Sequence, residues 1–208
     1  MKIVCIADTH EKHNQVNYPD GDILIIAGDI SKRGNPSKVR LALDFFSSLD
    51  YQHIIFVPGN HDFCFEQEQK MCNKLLSKYK NIKYLNDSGI TIDNIKFWGS
   101  PVSPIFFNWA FNRNPIEIKK HWNLIPKDTD ILITHTPPFD ILDKNISYQN
   151  CGCKNLLNTI NSLKLKYHIF GHIHEDYGCK VNNETTFINC SIVNEDYICK
   201  NKPIEILI

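Results

Sequence analysis

Five short clusters of aspartate, asparagine and histidine punctuate the chain, each directly after an apolar run: Asp8-Thr9-His10, Gly28-Asp29, Gly59-Asn60-His61-Asp62, His135 and Gly171-His172-Ile173-His174. Oxygen and imidazole donors without a thiolate suit hard or borderline ions such as Mn, Fe or Zn. They also outnumber what one tetrahedral ion can use. Two ions about 3.5–4 Å apart, sharing a carboxylate, would use them, and such a pair polarises a phosphoryl oxygen and activates water, which is phosphoester chemistry. Singly the clusters say little: a Gly-Asp after a strand is an ordinary turn or helix cap, and a lone His135 is an ordinary hydrogen-bonded side chain. In order, and with five of the nine histidines inside them, they read as one site.

The elements that must position these residues are legible as continuous apolar runs: Ile3–Ile6, Ile23–Ile26, Ile54–Val57, Ile131–Ile133 and His168–Phe170. Continuous rather than alternating hydrophobicity marks strands covered on both faces. Between them, Ser37–Leu49 and Phe65–Tyr79 place apolar residues at helical spacing, so the first third reads as parallel crossover units. Gly89–Ile92 with Ile95–Trp98, and Tyr177–Val181 with Thr185–Ile188, read as hairpins turning at Asp93-Asn94 and Asn182-Asn183. Pro101–Asn114 is the longest expected loop. Strands running the same way bring their carboxyl ends to one edge, where α/β folds build sites, and the five clusters would converge there.

At 208 residues, 42% hydrophobic and 22% charged, residues 1–208 fit one globular domain. The formal net charge is zero, so non-specific nucleic-acid binding is not expected. No apolar run approaches the ~20 residues of a membrane helix, and Asp8 interrupts the first run before it could serve as an export signal. The expectation is a cytosolic protein without a membrane partner, its eight cysteines mostly free thiols.

The order Asp-x-His, Gly-Asp, Gly-Asn-His-Asp, lone His, Gly-His-x-His resembles the calcineurin-like metallophosphoesterase superfamily across nearly the whole chain. Trp98-Gly99-Ser100-Pro101, Phe107-Asn108-Trp109-Ala110-Phe111-Asn112 and Gly171-His172-Ile173-His174-Glu175 further resemble its metallophosphoesterase-domain-containing branch, related to class III cyclic-nucleotide phosphodiesterases. The resemblance implies an α/β/β/α sandwich: two mixed sheets face to face, helices on the outer faces. It implies two divalent or trivalent metal ions, Mn, Fe or Zn. Asp8, His10, Asp29 and His174 would hold one ion and Asp29, Asn60, His135 and His172 the other, Asp29 bridging. His61 would contact the phosphate and protonate the leaving oxygen, while Asp62 stands where a glutamate is often found and bears on how His61 is oriented. The implied reaction is attack of a metal-bridging hydroxide on a small phosphoester, a phosphodiester such as a cyclic nucleotide.

Alternatives stay open at this point. Arg33 resembles the arginine of serine/threonine protein phosphatases in the same superfamily, where it would clamp phosphate, or it is a solvated loop residue. The aromatic stretch Phe106, Phe107, Trp109 and Phe111 would form a lid, stack on a nucleobase, or pin its loop to the domain. A phosphomonoesterase, a protein phosphatase, and a metal- or nucleotide-binding regulatory protein with little turnover are the other functions this sequence accommodates.

Overall fold

The computed structural model describes residues 1–208. Its strands are β1 (Lys2–Ile6), β2 (Ile23–Ala27), β3 (His53–Val57), β4 (Ile82–Tyr84), β5 (Ser88–Ile92), β6 (Ile95–Ser100), β7 (Ser103–Pro104), β8 (Asn112–Arg113), β9 (Ile131–Thr134), β10 (Tyr167–Phe170), β11 (Gly178–Asn182), β12 (Thr185–Asn189) and β13 (Ile204–Leu207). The α-helices are α1 (Pro36–Ser47), α2 (Cys64–Gln67), α3 (Gln69–Leu76), α4 (Pro115–Trp122) and α5 (Lys154–Ile160). One sheet has the order β13-β1-β2-β3-β4, the other β11-β12-β10-β9-β6-β5. Strands β1 to β4 are mutually parallel, as are β6, β9, β10 and β12, with antiparallel strands at edges.

The alternation along each central strand explains the layering. Ile3, Cys5, Ile23, Ile25, Ile55 and Val57 meet Ile131, Ile133, Ile169 and Ile188 in a dry core between the sheets. Their neighbours Val4, Ile6, Leu24, Ile26 and Phe56 face the other way, onto Val39, Leu43 and Phe46 of α1 and Phe65 of α2. Leu132, Phe170 and Phe187 do the same on the far side, under Ile118 and Trp122 of α4 and Leu156 and Ile160 of α5. The fold is therefore mixed α/β, two mixed sheets face to face with helices on the outer faces. No helix is long and apolar enough to cross a membrane, and all eight cysteines are free.

Three local expectations are corrected. The helix expected over Phe65–Tyr79 is two helices, because Glu68 leaves the helical region at φ −125° and ψ 43°. The longest irregular stretch is His135–Cys153, between β9 and α5; Pro101–Asn114 is shorter and encloses the small β7–β8 pair. The β11–β12 hairpin pairs Asn182 with Thr185 and so turns at Asn183-Glu184, one residue later than expected. The β5–β6 hairpin turns at Asp93-Asn94 as expected, both at positive φ, which suits the twist of the strands it joins.

Candidate metal centre

Asp8, Asp29 and His172 each stand two residues beyond the end of a parallel strand, and each has a left-handed backbone, at φ 56°, 56° and 72°. This conformation costs a side-chain-bearing residue roughly 1–3 kcal/mol and is tolerated where surrounding contacts over-determine it. Here the contacts cross between the sheets. Asp8 Oδ2 accepts from the backbone N–H of His172 at 2.9 Å and from the Ser191 hydroxyl at 2.6 Å. Gly28, at φ 102°, lies so close to His135 that a Cβ on it would fall 2.2 Å from the imidazole, and a Cβ on Gly171 would fall 2.2 Å from Asp8 Oδ2.

Two convergent sets of donors result. In the first, His10 Nε2 and His174 Nε2 are 3.3 Å apart, and Asp8 Oδ1 lies 3.5 Å from the latter and 3.9 Å from the former. Asp8 Oδ1 is buried with no hydrogen-bond donor. His174 Nδ1 donates to the Asn194 carbonyl at 3.2 Å, which turns its Nε2 to the cluster. In the second, His135 Nδ1 donates to the Ala27 carbonyl at 2.9 Å, and its Nε2 meets Asn60 Oδ1 at 2.8 Å, His172 Nδ1 at 3.2 Å and Asp29 Oδ2 at 3.3 Å. Asp29 Oδ1 is engaged by the His61 N–H at 2.8 Å, while Oδ2 faces His135 and, at 3.8 Å, His10.

Such a gathering of lone pairs in buried surroundings calls for positive charge among them. A proton on one imidazole serves two acceptors at most; a metal ion serves every atom of its set, so the residues fit metal ions. Three overlapping groups, Asp8-His10-His174, His10-Asp29-His61 and Asp8-Asp29-His135, each offer atoms within 4.8 Å of one another. Proton affinities respond to the same crowding. Burial disfavours the His135 imidazolium, yet the Asp29 carboxylate outweighs it and lifts the ring to about 9. Burial, reinforced by His135, drives His172 down to about 3, and burial drives His10 to about 4. Burial works against charge on Asp8 and Asp29 too, but the facing imidazoles hold both carboxyls well below their usual range.

The structure places all seven expected ligands in this cluster and His61 beside it. His61 Nδ1 donates to the Lys32 carbonyl at 2.8 Å, its Nε2 lies 3.9 Å from Asp29 Oδ2, and its ring stacks on Trp109 at 4.1 Å. Asp62 does not touch that imidazole. Its carboxylate accepts from the N–H groups of Gly59 (2.9 Å), Ser31 (2.9 Å) and Ile30 (3.3 Å) and from the Ser31 hydroxyl (2.8 Å), tying the Asp29 loop to the Asn60 loop. Burial, then Asp29, raises it to about 7. Arg33 lies over the Trp109 ring at 4.9 Å. The aromatic stretch divides: Phe111 is core, Trp109 serves His61, and Phe106 and Phe107 are 60% and 75% exposed.

The segment after β12 was missed from sequence. Ser191 holds Asp8, the Asn194 carbonyl holds His174, and the Tyr197 ring lies against His10 and His174, with centroids 4.8 and 5.2 Å away. A hydroxyl and a carbonyl leave no motif. A solitary tyrosine near the C-terminus gave no signal.

Residues 1–176 match the calcineurin-like phosphoesterase family. Human metallophosphoesterase domain-containing protein 1 is 37% identical over 99% of this chain and 70% of its own length. A 3',5'-cyclic-nucleotide phosphodiesterase of Nostoc is 21% identical over 76% of this chain and 58% of its own. Phosphopantetheinyl hydrolase of Mycobacterium tuberculosis superposes with a TM-score of 0.66 at 15% identity, covering 94% of this chain and 90% of that one, a likeness of fold. With this match over most of its length and metal-binding groups at the carboxyl edges of both sheets, the chain belongs to the calcineurin-like metallophosphoesterases, whose chemistry is metal-dependent phosphoester hydrolysis.

Proposed function

We propose that the chain is a dinuclear metal-dependent phosphodiesterase acting on a small organic phosphodiester, with a cyclic nucleotide as the leading candidate. Asp8, His10, Asp29 and His174 would hold one ion and Asp29, Asn60, His135 and His172 the second. The observation that carries this reading is the place of Asp29 Oδ2, facing both His10 and His135 while Oδ1 is fixed by a backbone N–H. When bound, the two cations polarise phosphoryl oxygens and supply a nucleophilic water at neutral pH.

The rest is work for side chains. Lys32 and Trp109 fix the His61 ring so that Nε2 points toward the cluster, where it hydrogen-bonds a phosphoryl oxygen and hands a proton to the departing oxygen. Asn60 contributes a neutral oxygen, which leaves more net positive charge for the phosphate than a carboxylate would. Beyond the ligands opens a cleft of about 450 Å³ lined by Pro104, Ile105, Phe106 and Trp109 and by the exposed Glu175 and Glu195. Room for an organic substituent and carboxylates that disfavour a dianion both support the diester over the monoester.

The test is a matrix of metals against substrates: protein loaded with Mn, Fe or Zn, assayed on bis(p-nitrophenyl) phosphate, cyclic nucleotides and p-nitrophenyl phosphate. Diesters should lead in kcat/KM by at least ~10-fold, equivalent to ~1.4 kcal/mol of transition-state discrimination. A monoester preference with every metal would overturn the diester assignment, and no turnover with any would favour a binding role.

A further inference from the structure

The site has a second mouth. A cleft of about 440 Å³ is lined by His10, Lys12, Lys32, Arg33, His61, Trp109 and Tyr197, and shares only His61, Trp109 and Tyr197 with the larger cleft. The two differ in charge: the larger has carboxylates in its lining and no lysine or arginine, and the smaller has three cationic side chains and no carboxylate. In a chain of zero net charge this is a local concentration, not part of a general basic surface.

These cations are also uncompensated. None of the three forms an ion pair within 4.0 Å, although five other lysines and arginines do. Glu11, next to Lys12 in sequence, is turned to the Lys32 backbone N–H at 3.3 Å. Lys12 donates to the Tyr197 carbonyl, and Arg33 rests on Trp109. Both anchors hold a flexible side chain at the mouth and leave its charge to be matched from outside.

We propose that Lys12, Lys32 and Arg33 form a second anion subsite, so that the preferred substrate carries another phosphate besides the scissile phosphoester. The inference rests on the metal centre described above as the place of the scissile group. The larger cleft would offer a second phosphate Glu175 and Glu195 and no cation of lysine or arginine; the smaller one offers it a guanidinium and two ammonium groups beside His10 and His61. The ligand class is a phosphodiester with a further, terminal phosphate, for which an organic bisphosphate serves as a binding probe.

The test compares adenosine 3′,5′-bisphosphate with AMP by calorimetry on the Mn-loaded protein, at low and high salt, alongside hydrolysis of bis(p-nitrophenyl) phosphate by the same preparation. The bisphosphate should bind ~10-fold or more tightly, and salt should weaken this preference. The Lys32→Gln/Arg33→Gln double variant should bring the ratio close to one, and the charge-conserving Lys32→Arg/Arg33→Lys variant should keep most of it. A wild-type ratio near one, or a ratio unchanged in the glutamine variant, overturns the subsite. Hydrolysis of the nitrophenyl diester with a ratio near one sinks the subsite alone. A large ratio without hydrolysis of that diester under any of Mn, Fe or Zn supports the subsite and sinks the phosphodiesterase reading.

Discussion

Asp62 is the residue whose removal separates building the site from acting in it. Its carboxylate takes three backbone N–H groups and one hydroxyl, in a position with no solvent exposure. Asp62→Ala strands four donors, each costing ~1–3 kcal/mol when buried and unsatisfied. The Ser31 hydroxyl has a second acceptor in the His61 carbonyl at 3.3 Å, and water entering the vacated space satisfies one or two of the rest. The expected net loss is therefore about 3–5 kcal/mol, well below the simple sum. Asp62→Asn keeps one oxygen but turns an N–H₂ toward donors, and should cost about 1–2 kcal/mol. Urea denaturation of the metal-free protein measures this without the added stability that bound ions give. Because Ile30 and Gly59 flank Asp29 and Asn60, metal affinity should fall ~10–100-fold as well, the usual effect of losing a residue that orients ligands. An Asp62→Ala protein that unfolds within ~1 kcal/mol of wild type, keeps its metals and yet loses turnover would refute the structural role and put Asp62 in the chemistry.

Three further outcomes are expected. His61→Ala should keep its metal content and lose ~10²–10⁴ in turnover on an unactivated diester but much less on a nitrophenyl ester; equal losses on both would rule out proton donation. Asp29→Ala should lose more metal and more rate than His10→Ala, since one of its oxygens faces both donor sets; elemental analysis showing both ions retained would refute the bridge. His168 gives a pH test away from the metals. Burial holds it down to about 3, and the Thr134 hydroxyl, which donates to the Thr136 carbonyl at 2.7 Å, accepts from its Nε2 at 2.9 Å. The folded value lies below the unfolded one near 6.5, so protonation favours the unfolded chain. Stability should fall by ~1.4 kcal/mol per pH unit from about 6.5 down toward 3 on this account. His168→Gln should remove one proton from that slope in denaturation series at several pH values, and an unchanged slope would contradict the assignment.

The central architecture was legible because it depends on residues of strong type. Ile3–Ile6, Ile23–Ile26 and Ile131–Ile133 are apolar on both faces because a second sheet lies on one side and helices on the other, and the ligands follow each run at once. Helix α4 went unread although its cap is strong: Asn114 accepts from Ile116 and Glu117 at 3.0 and 2.9 Å, with Pro115 in the first turn, the same Asn-Pro pair that opens α1. Helix α5 was hidden, because its cap is the Cys153 sulfur, accepting from Leu156 at 3.4 Å. The support given by Ser191, Asn194 and Tyr197 was not legible at all, since it depends on where the chain returns after β12.

Gly28 and Gly171 carry a consequence for how the site can change with time. Gly28 follows a strand of one sheet and lies on a histidine that follows a strand of the other; Gly171 follows a strand of the second and lies on an aspartate of the first. The two contacts interlock like a clasp, with no space at either for even a methyl group. A single ligand loop therefore cannot shift without disturbing the packing between the sheets. Amides such as that of His172, bonded to Asp8, should exchange with solvent at the pace of global opening.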